Sequence, residues 1–304
     1  LQLWRRFLLK KYGEIGSSKM VRFGFVFSMI ATLSVSTSAF AQSSSAQTAV
    51  DENFLGIETA VAEAGATPIA SIDHARLAKA EGVEMPASRV LIFSVPEINT
   101  PILKGNVRAG LDLPFRVLSF AQDGGPQISY TDSQFLKVRH GLTDASSLRA
   151  FQSKMLEVLN DLEATPAPTN GLFADYGIIE LRSQLSVPEA VERLRTAVMG
   201  QDDTVWFGEI DFATEASQLG VALPDTVLLL FGGPAPGGVA MAGFPAIGLD
   251  AFCQKLLVYA NEEGGSVVIF NDIAALAELH YGSSAEPHHG LNKRLTETFR
   301  KAIE

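Results

Sequence analysis

The sequence predicts an α+β protein: two tandem copies of one β-α-β(4)-α module, each an antiparallel-rich sheet with helices on one face, related by a pseudo-twofold axis. Three observations carry that prediction. The chain repeats itself at a shift of 138 residues, with Ile72-Asp73 falling on Ile210-Asp211, Pro86 on Pro224, Phe93 on Phe231 and Leu111-Asp112 on Leu249-Asp250. Positions 72–112 hold 14 identities in 41 without a gap, where unrelated sequence gives roughly 3. Both halves also run through the same order of strand and helix signals, and a Pro/Thr/Ala stretch, ATPAPTN (Ala164–Asn170), separates them. A period this long means two domain-sized units rather than a solenoid.

The elements follow in order. From Met20 the chain reads as a secretory signal: one basic residue, an apolar run, then Ala39-Phe40-Ala41 before Gln42. Cleavage is expected after Ala41, making the product periplasmic or secreted, and residues 1–19 read as an over-called start. Arg5-Arg6-Phe7-Leu8-Leu9-Lys10 resembles a twin-arginine export motif, but Glu14 and Lys19 interrupt its path to the apolar run. The first module is expected over 42–163. It has a helix at Glu52–Ala64, strands PIASID, RVLIFS, FRVLSFA and QISY, a hairpin at Asp123-Gly124-Gly125, and a closing helix over LRAFQSKMLEVLNDL. It lacks a first strand. Gln42–Val50 is too small and polar, so that edge is short, disordered or supplied by something else.

The linker is set at 164–176 and the second module at 177–304. GIIELRSQ alternates as a strand does. Ser186-Val187-Pro188-Glu189 then forms a capping box with proline in the first turn of the next helix. TVWFGEID follows, and TVLLLFG is apolar throughout, as a strand covered on both faces should be. QKLLVYA and SVVIF flank a Gly264-Gly265 hairpin. A short helix after Asp272 and an amphipathic one through Leu291, Leu295, Phe299 and Ile303 close the chain. Gly232–Gly238 follows a strand, but it has no Gly-Lys-Ser/Thr ending and no evident helix start, so it reads as a loop.

Composition excludes several partners. Removing residues 1–41 takes away six of 24 basic and one of 34 acidic residues, leaving a formal charge of −15. Phosphate neutralisation needs the opposite sign, so nucleic acid and anionic membrane surfaces are excluded as partners. The apolar run of the leader is too short for a stable span. A single cysteine, Cys253, forms no internal disulfide, and at the start of an apolar strand it reads as core.

The landmarks in sequence resemble the domain of unknown function 302 family. The first module matches at Ile72-Asp73, Gly82, Pro86, Leu91-Ile92-Phe93, Pro96, Leu111-Asp112-Leu113-Pro114, Tyr130-Thr131-Asp132 and Arg139-His140-Gly141-Leu142. The second matches at Ile210-Asp211, Gly220, Pro224, Leu229-Leu230-Phe231, Pro234 and Leu249-Asp250. It departs at Ala251-Phe252, where Leu-Pro is expected, and at Leu279-His280-Tyr281-Gly282, where the arginine is gone. The resemblance implies a fold similar to TATA-binding-protein-like modules. It implies no activity, catalytic set or cofactor, and the DNA-binding analogy fails on charge.

Candidate site residues come from the duplicated polar positions. His140 and His280 stand eight residues beyond Asp132 and Asp272, a spacing that puts each pair on one helix face and allows a shared polar site; the preferred reading is structural, with the aspartates capping the short helices and the histidines packing or hydrogen-bonding locally. Asp73 and Asp211 end strands and suit either a cleft or an N-cap, and Asp112 and Asp250 share the ambiguity. His74 has Phe212 as its counterpart. With Arg139 these make the expected ligand-binding set. His280, His288 and His289 are a weak metal set, with no standard zinc spacing. The sequence is read as an exported, non-enzymatic protein that binds a small molecule or protein in the groove between its modules, a monomer carrying its own pseudo-dimer. The alternatives are an enzyme using Asp/His pairs and a periplasmic metal binder using the C-terminal histidines.

Overall fold

In a computed structural model, residues 34–304 are described, with side chains from residue 45 onward. The twin-arginine-like motif, the expected start at Met20 and the apolar run to residue 33 lie outside the described residues.

In the first module, β1 (Thr67–Asp73), β2 (Ser88–Ser94), β3 (Phe115–Gln122) and β4 (Gly125–Tyr130) pair antiparallel in that order. The helices are α1 (Ser34–Glu63), α2 (His74–Ala80), α3 (Pro96–Gly105), α4 (Ser133–Arg139) and α5 (Ala145–Val158). The expected helix at Glu52–Ala64 therefore starts much earlier and runs through the polar stretch before Val50. Val50, Phe54, Ile57 and Val61 are buried at helical spacing, and that stripe anchors it. The missing edge strand is replaced from the linker. β5 (Thr165–Pro166) pairs parallel to β4, and Ala167 N–H donates to the Tyr130 carbonyl at 2.8 Å.

The second module keeps its own edge. β6 (Ile178–Ser183) pairs antiparallel with β10 (Ser266–Asn271), followed across the sheet by β9 (Gln254–Ala260), β8 (Thr226–Gly232) and β7 (Val205–Asp211). Its helices are α6 (Val187–Met199), α7 (Phe212–Gln218), α8 (Pro234–Met241), α9 (Ile273–Tyr281) and α10 (Glu286–Ile303). The Ser186–Glu189 capping box forms. The loop expected at Gly232–Gly238 is instead the start of α8. Pro234 occupies the first turn, where its fixed φ suits a helix. Gly238 lets α8 press against α2, since a Cβ there would lie 2.5 Å from the Ala78 Cβ. α3 fills the corresponding place in the first module.

Residues 41–304 form one compact unit. The sheets stay separate, so the pairing covers sheet faces rather than merging edges. On β8, β9 and β10, Leu229, Phe231, Leu256, Val258 and Phe270 pack against α6 and α10. The alternate residues Leu228, Leu230, Leu257, Tyr259, Val267 and Ile269 share one core with the first module. This is the period-2 rule of a strand covered on both sides. Each module also sends a short 3-10 turn into the other: Val107–Leu111 packs on β8, β9 and β10, and Pro245–Leu249 on β2, β3 and β4. A Cβ on Gly110 would meet Leu257 at 2.8 Å, and one on Gly248 would meet Ser88 Oγ at 2.9 Å. The exchange is reciprocal, as a pseudo-twofold requires.

Candidate functional site

The two Gly-Leu-Asp turns deliver Asp112 and Asp250 to the junction between the modules, where both are fully buried. Asp112 Oδ2 accepts from Arg139 Nη1 at 2.7 Å and lies 2.8 Å from His140 Nε2, while Oδ1 accepts from Arg116 Nη2 at 3.1 Å. Lys255 Nζ, from β9, stands 3.6 Å from Oδ1. Arg139 extends further into the second module, donating to Asn271 Oδ1 at 2.8 Å and to the Gly177 carbonyl at 3.0 Å, with its Nε on the Tyr176 carbonyl at 2.9 Å. Burial pushes the Asp112 carboxyl up, but Arg139, the His140 hydrogen bond and Arg116 outweigh it and hold it well below the usual carboxylate range. Burial drives His140 the other way, down from the ordinary histidine value, against the opposing pull of the Asp112 carboxylate.

Asp250 repeats the pattern in reduced form. Its Oδ2 lies 2.9 Å from His280 Nε2, and its backbone carbonyl accepts from Asn271 Nδ2 at 2.6 Å. Leu279 replaces Arg139, and Oδ1 has no protein partner. Arg116 and Lys255 are themselves equivalent, because Arg116 pairs across with Ile92 and Lys255 with Leu230. Neither follows from the ungapped repeat, since the second module has one extra residue before Lys255. The available signal is a charged side chain inside each of two otherwise apolar strands, FRVLSFA and QKLLVYA.

The Asp–His pairs are thus not those expected from spacing. Asp132 caps α4 by accepting from Phe135 N–H at 2.7 Å, and Asp272 caps α9 by accepting from Ala275 N–H at 3.0 Å. Eight-residue spacing sets the two groups along one helix, but His140, just past the end of α4, and His280, in the last turn of α9, turn inward to the Asp of the preceding turn. His74 packs against the second module's turn, and burial pushes its imidazole down to about 4, partly offset by a hydrogen bond with the Gly248 backbone. Phe212 touches Gly110 in the mirror position. Burial likewise pushes the Cys253 thiol up to about 12.

The metal reading is corrected. His288 bridges the Ala240 carbonyl and Ala285 N–H, His289 meets Ser284, and His280 meets Asp250. Each histidine has its own partner, and among the described residues no three metal-ligating side chains converge. Of the polar set expected to line an inter-module groove, Asp112, Arg139 and Asp250 are fully buried and His140 and His74 nearly so, whereas Asp73, Asp132, Asp211 and Asp272 cap helices outside that interior.

Open space lies on the outer flank of the second module. A cleft of about 890 Å³ runs between α6, the end of β7 and the segment from α7 into β8. Val187, Val191, Val221 and Val227 give it an apolar lining, and Glu209, Asp211 and Asp225 give it carboxylates. Arg195, on one wall, is already paired with Glu192 and Glu209. Asp211 caps α7, accepting from Thr214 N–H at 2.9 Å and its hydroxyl at 2.8 Å. Among the described residues, no basic side chain pairs with Asp211 or Asp225.

On the equivalent flank of the first module the corresponding carboxylate is paired with the module's own arginines. Asp73 caps α2 in the same way, but there Arg76 pairs with both Asp73 and Asp51, and Arg89 reaches Asp51 at 2.8 Å. The Arg89 guanidinium lies 3.9 Å over the Phe54 ring. Arg76, with help from Arg89, holds the Asp51 carboxyl at about 2. In the second module the corresponding residues are Thr214 for Arg76, Val227 for Arg89, Val191 for Phe54 and Pro188 for Asp51. Asp211 stands opposite Val227 across the strands, as Asp73 stands opposite Arg89.

Comparison with known proteins gives a family match in both halves: the family described as domain of unknown function DUF302 matches residues 41–162 and 179–304. A protein named fluoride-specific ion channel FluC 1 from Brucella suis biovar 1 (strain 1330) is 32% identical over 113 residues, which is 37% of this chain and 44% of that protein. A protein of the same name from Brucella abortus biovar 1 (strain 9-941) is 32% identical over 113 residues, 41% of its length. The chain therefore spans less than half of these curated relatives. Among solved structures, an uncharacterized conserved DUF302 protein from Bacillus stearothermophilus is 14% identical, with a TM-score of 0.35, covering 42% of this chain and 98% of that one. Among the described residues, no helix is long and apolar enough to cross a membrane.

Proposed function

Because the chain belongs to the DUF302 family, whose description assigns it no activity, we propose its function from its own geometry: a non-catalytic binding protein whose ligand sits in the open flank of the second module. One observation carries this reading. The same cleft is occupied by two arginines in the first module and left empty of them in the second, whereas both Asp–His pairs are sealed in the interior. A general acid or base must reach the proton it transfers, and groups with no exposed surface do not meet a substrate. The duplicated pairs therefore act as structural ties inside each module, and Arg139 and Lys255 carry the first of them across to the second module. Export with cleavage after Ala41 is the compartment that goes with this reading; the family match opening at residue 41 supports it, and N-terminal sequencing of the exported product checks it.

The test is a thermal-shift screen of small molecules against the wild type and a Thr214→Arg/Val227→Arg variant, which refills the cleft as the first module does. Compounds that raise the melting temperature of the wild type are expected to lose their effect on the variant. Hits that stabilise both proteins equally would move the site elsewhere and overturn the reading.

A further inference from the structure

Resting on the proposed cleft, the chemistry of its occupant follows from the half of the molecule in which the same space is already taken. The first module seats guanidinium groups there. Asp73, at the end of β1, holds Arg76 as an ion pair at 2.5 Å, and Arg89 Nε stands 3.6 Å from the same carboxylate. Asp211 occupies the identical backbone position, capping the next helix by the same hydrogen bond to the residue three further on. Both intramolecular cations have been replaced, by Thr214 and Val227, while the carboxylate is retained. The second carboxylate has also moved. Asp51, on the helix, becomes Pro188, and Asp225, two residues before Val227, takes the place of Ala87. Besides Glu209, which is paired with Arg195, the cleft thus keeps two acids, Asp211 and Asp225, and has no cation of its own to serve them, since Arg195 is committed to Glu192 and Glu209.

We propose that this cleft binds an alkylguanidinium, free or as an arginine side chain, with its charged head between Asp211 and Asp225 and its alkyl stem along Val187, Val191 and Val227. A planar guanidinium matches carboxylates at two points, which a compact ammonium does not. The stem suits the aliphatic lining, and Val191 in place of Phe54 leaves room for it.

The full chain is titrated by calorimetry with N-butylguanidinium chloride, with the neutral isostere N-butylurea, and with a capped Gly-Arg-Gly peptide. Butylguanidinium is expected to bind at least about tenfold more tightly than butylurea, and the Asp211→Asn/Asp225→Asn variant to lose about tenfold in affinity. Asparagine still caps α7, so this variant keeps its fold, which circular dichroism verifies. Tighter binding of the peptide identifies an arginine side chain as the source; equal binding identifies a free ligand. Equal affinity for butylurea, or an undiminished Asn variant, overturns the proposal. Should guanidinium fail while neutral or anionic compounds bind and are blocked by Thr214→Arg/Val227→Arg, the ligand class is wrong and the cleft reading stands. If nothing that binds is blocked by that variant, both fall.

Discussion

At the end of β1, Asp73 faces Arg89 across the sheet and Arg76 along the helix; both arginines also pair with Asp51, and Arg89 lies over Phe54. At the end of β7, Asp211 faces Val227, and Thr214 supplies only a hydroxyl. A similar asymmetry runs through the interior. Asp112 is ringed by Arg116, Arg139, His140 and Lys255, whereas Asp250 has one histidine and leaves an oxygen unpartnered. Duplication kept the backbone and the strand-end or turn aspartate in each case, Asp73 as Asp211 and Asp112 as Asp250, and the cations diverged. The first module has spent its carboxylates on internal locks, and the second has left one on the surface unlocked.

The largest expected effect breaks the interior comparison. Asp112→Ala strands buried Arg139 and Arg116 without their counter-charge and should cost about 3–5 kcal/mol, whereas Asp250→Ala removes a carboxylate served by one histidine and should cost about 1–3 kcal/mol. Urea unfolding of the two variants side by side checks the order; equal losses would mean that the cation ring contributes little.

A smaller effect concerns pH and sharpens the pairing of His74 with Phe212. Burial lowers the folded His74 from 6.5 to about 4, so above pH 6.5 both folded and unfolded states keep it neutral. As pH falls from about 6.5 towards 4, the unfolded chain takes up a proton that the folded chain refuses, and stability drops by up to about 3 kcal/mol. His74→Phe, which copies the second module, should flatten that part of the stability profile in denaturant melts across the window. Asp112 adds a separate loss. Its depressed carboxyl stabilises the fold above the unfolded value near 3.8 and loses that contribution as pH falls below it, a region that His74→Phe leaves unchanged.

The smallest effect is on the flanks. Arg89→Ala removes a half-buried ion pair and a cation–π contact and should cost about 1 kcal/mol, while Val227→Arg in the second module changes stability by less than about 1 kcal/mol. A large loss in the second variant would show that Val227 is core, not cleft lining.

Much of the architecture was legible because it rests on periodicity. The apolar runs of β2 and β8, the glycine hairpins and the Ser186 capping box each have a local cause, and each appears where expected. The failures are non-local. Gly237-Gly238 looks like a flexible loop until Ala78 and Val83 of the other module press on it. The polar stretch before Val50 looks unstructured because its helix is anchored from one end. Asp132 is a helix cap, as its position suggests, but the partner of His140 is invisible to helix spacing because it arrives from a turn 28 residues earlier. Asp73 and Asp211 were visible as a pair, but the contrast between them lies in Arg76, Arg89, Thr214 and Val227, which matter only once two strands and a helix bring them together.

The borrowed strand Thr165–Pro166 has a consequence for heredity as well as for packing. A fragment ending at residue 163 would forfeit the last rung of its sheet and the Tyr176 and Gly177 carbonyls on which Arg139 rests. The ancestral unit cannot be recovered by cutting the gene in two, because the seam has been woven into one of the cloths it joins. Fission or reshuffling of this gene would need to carry residues 164–177 with the upstream half, and so leave the downstream half short of its own beginning.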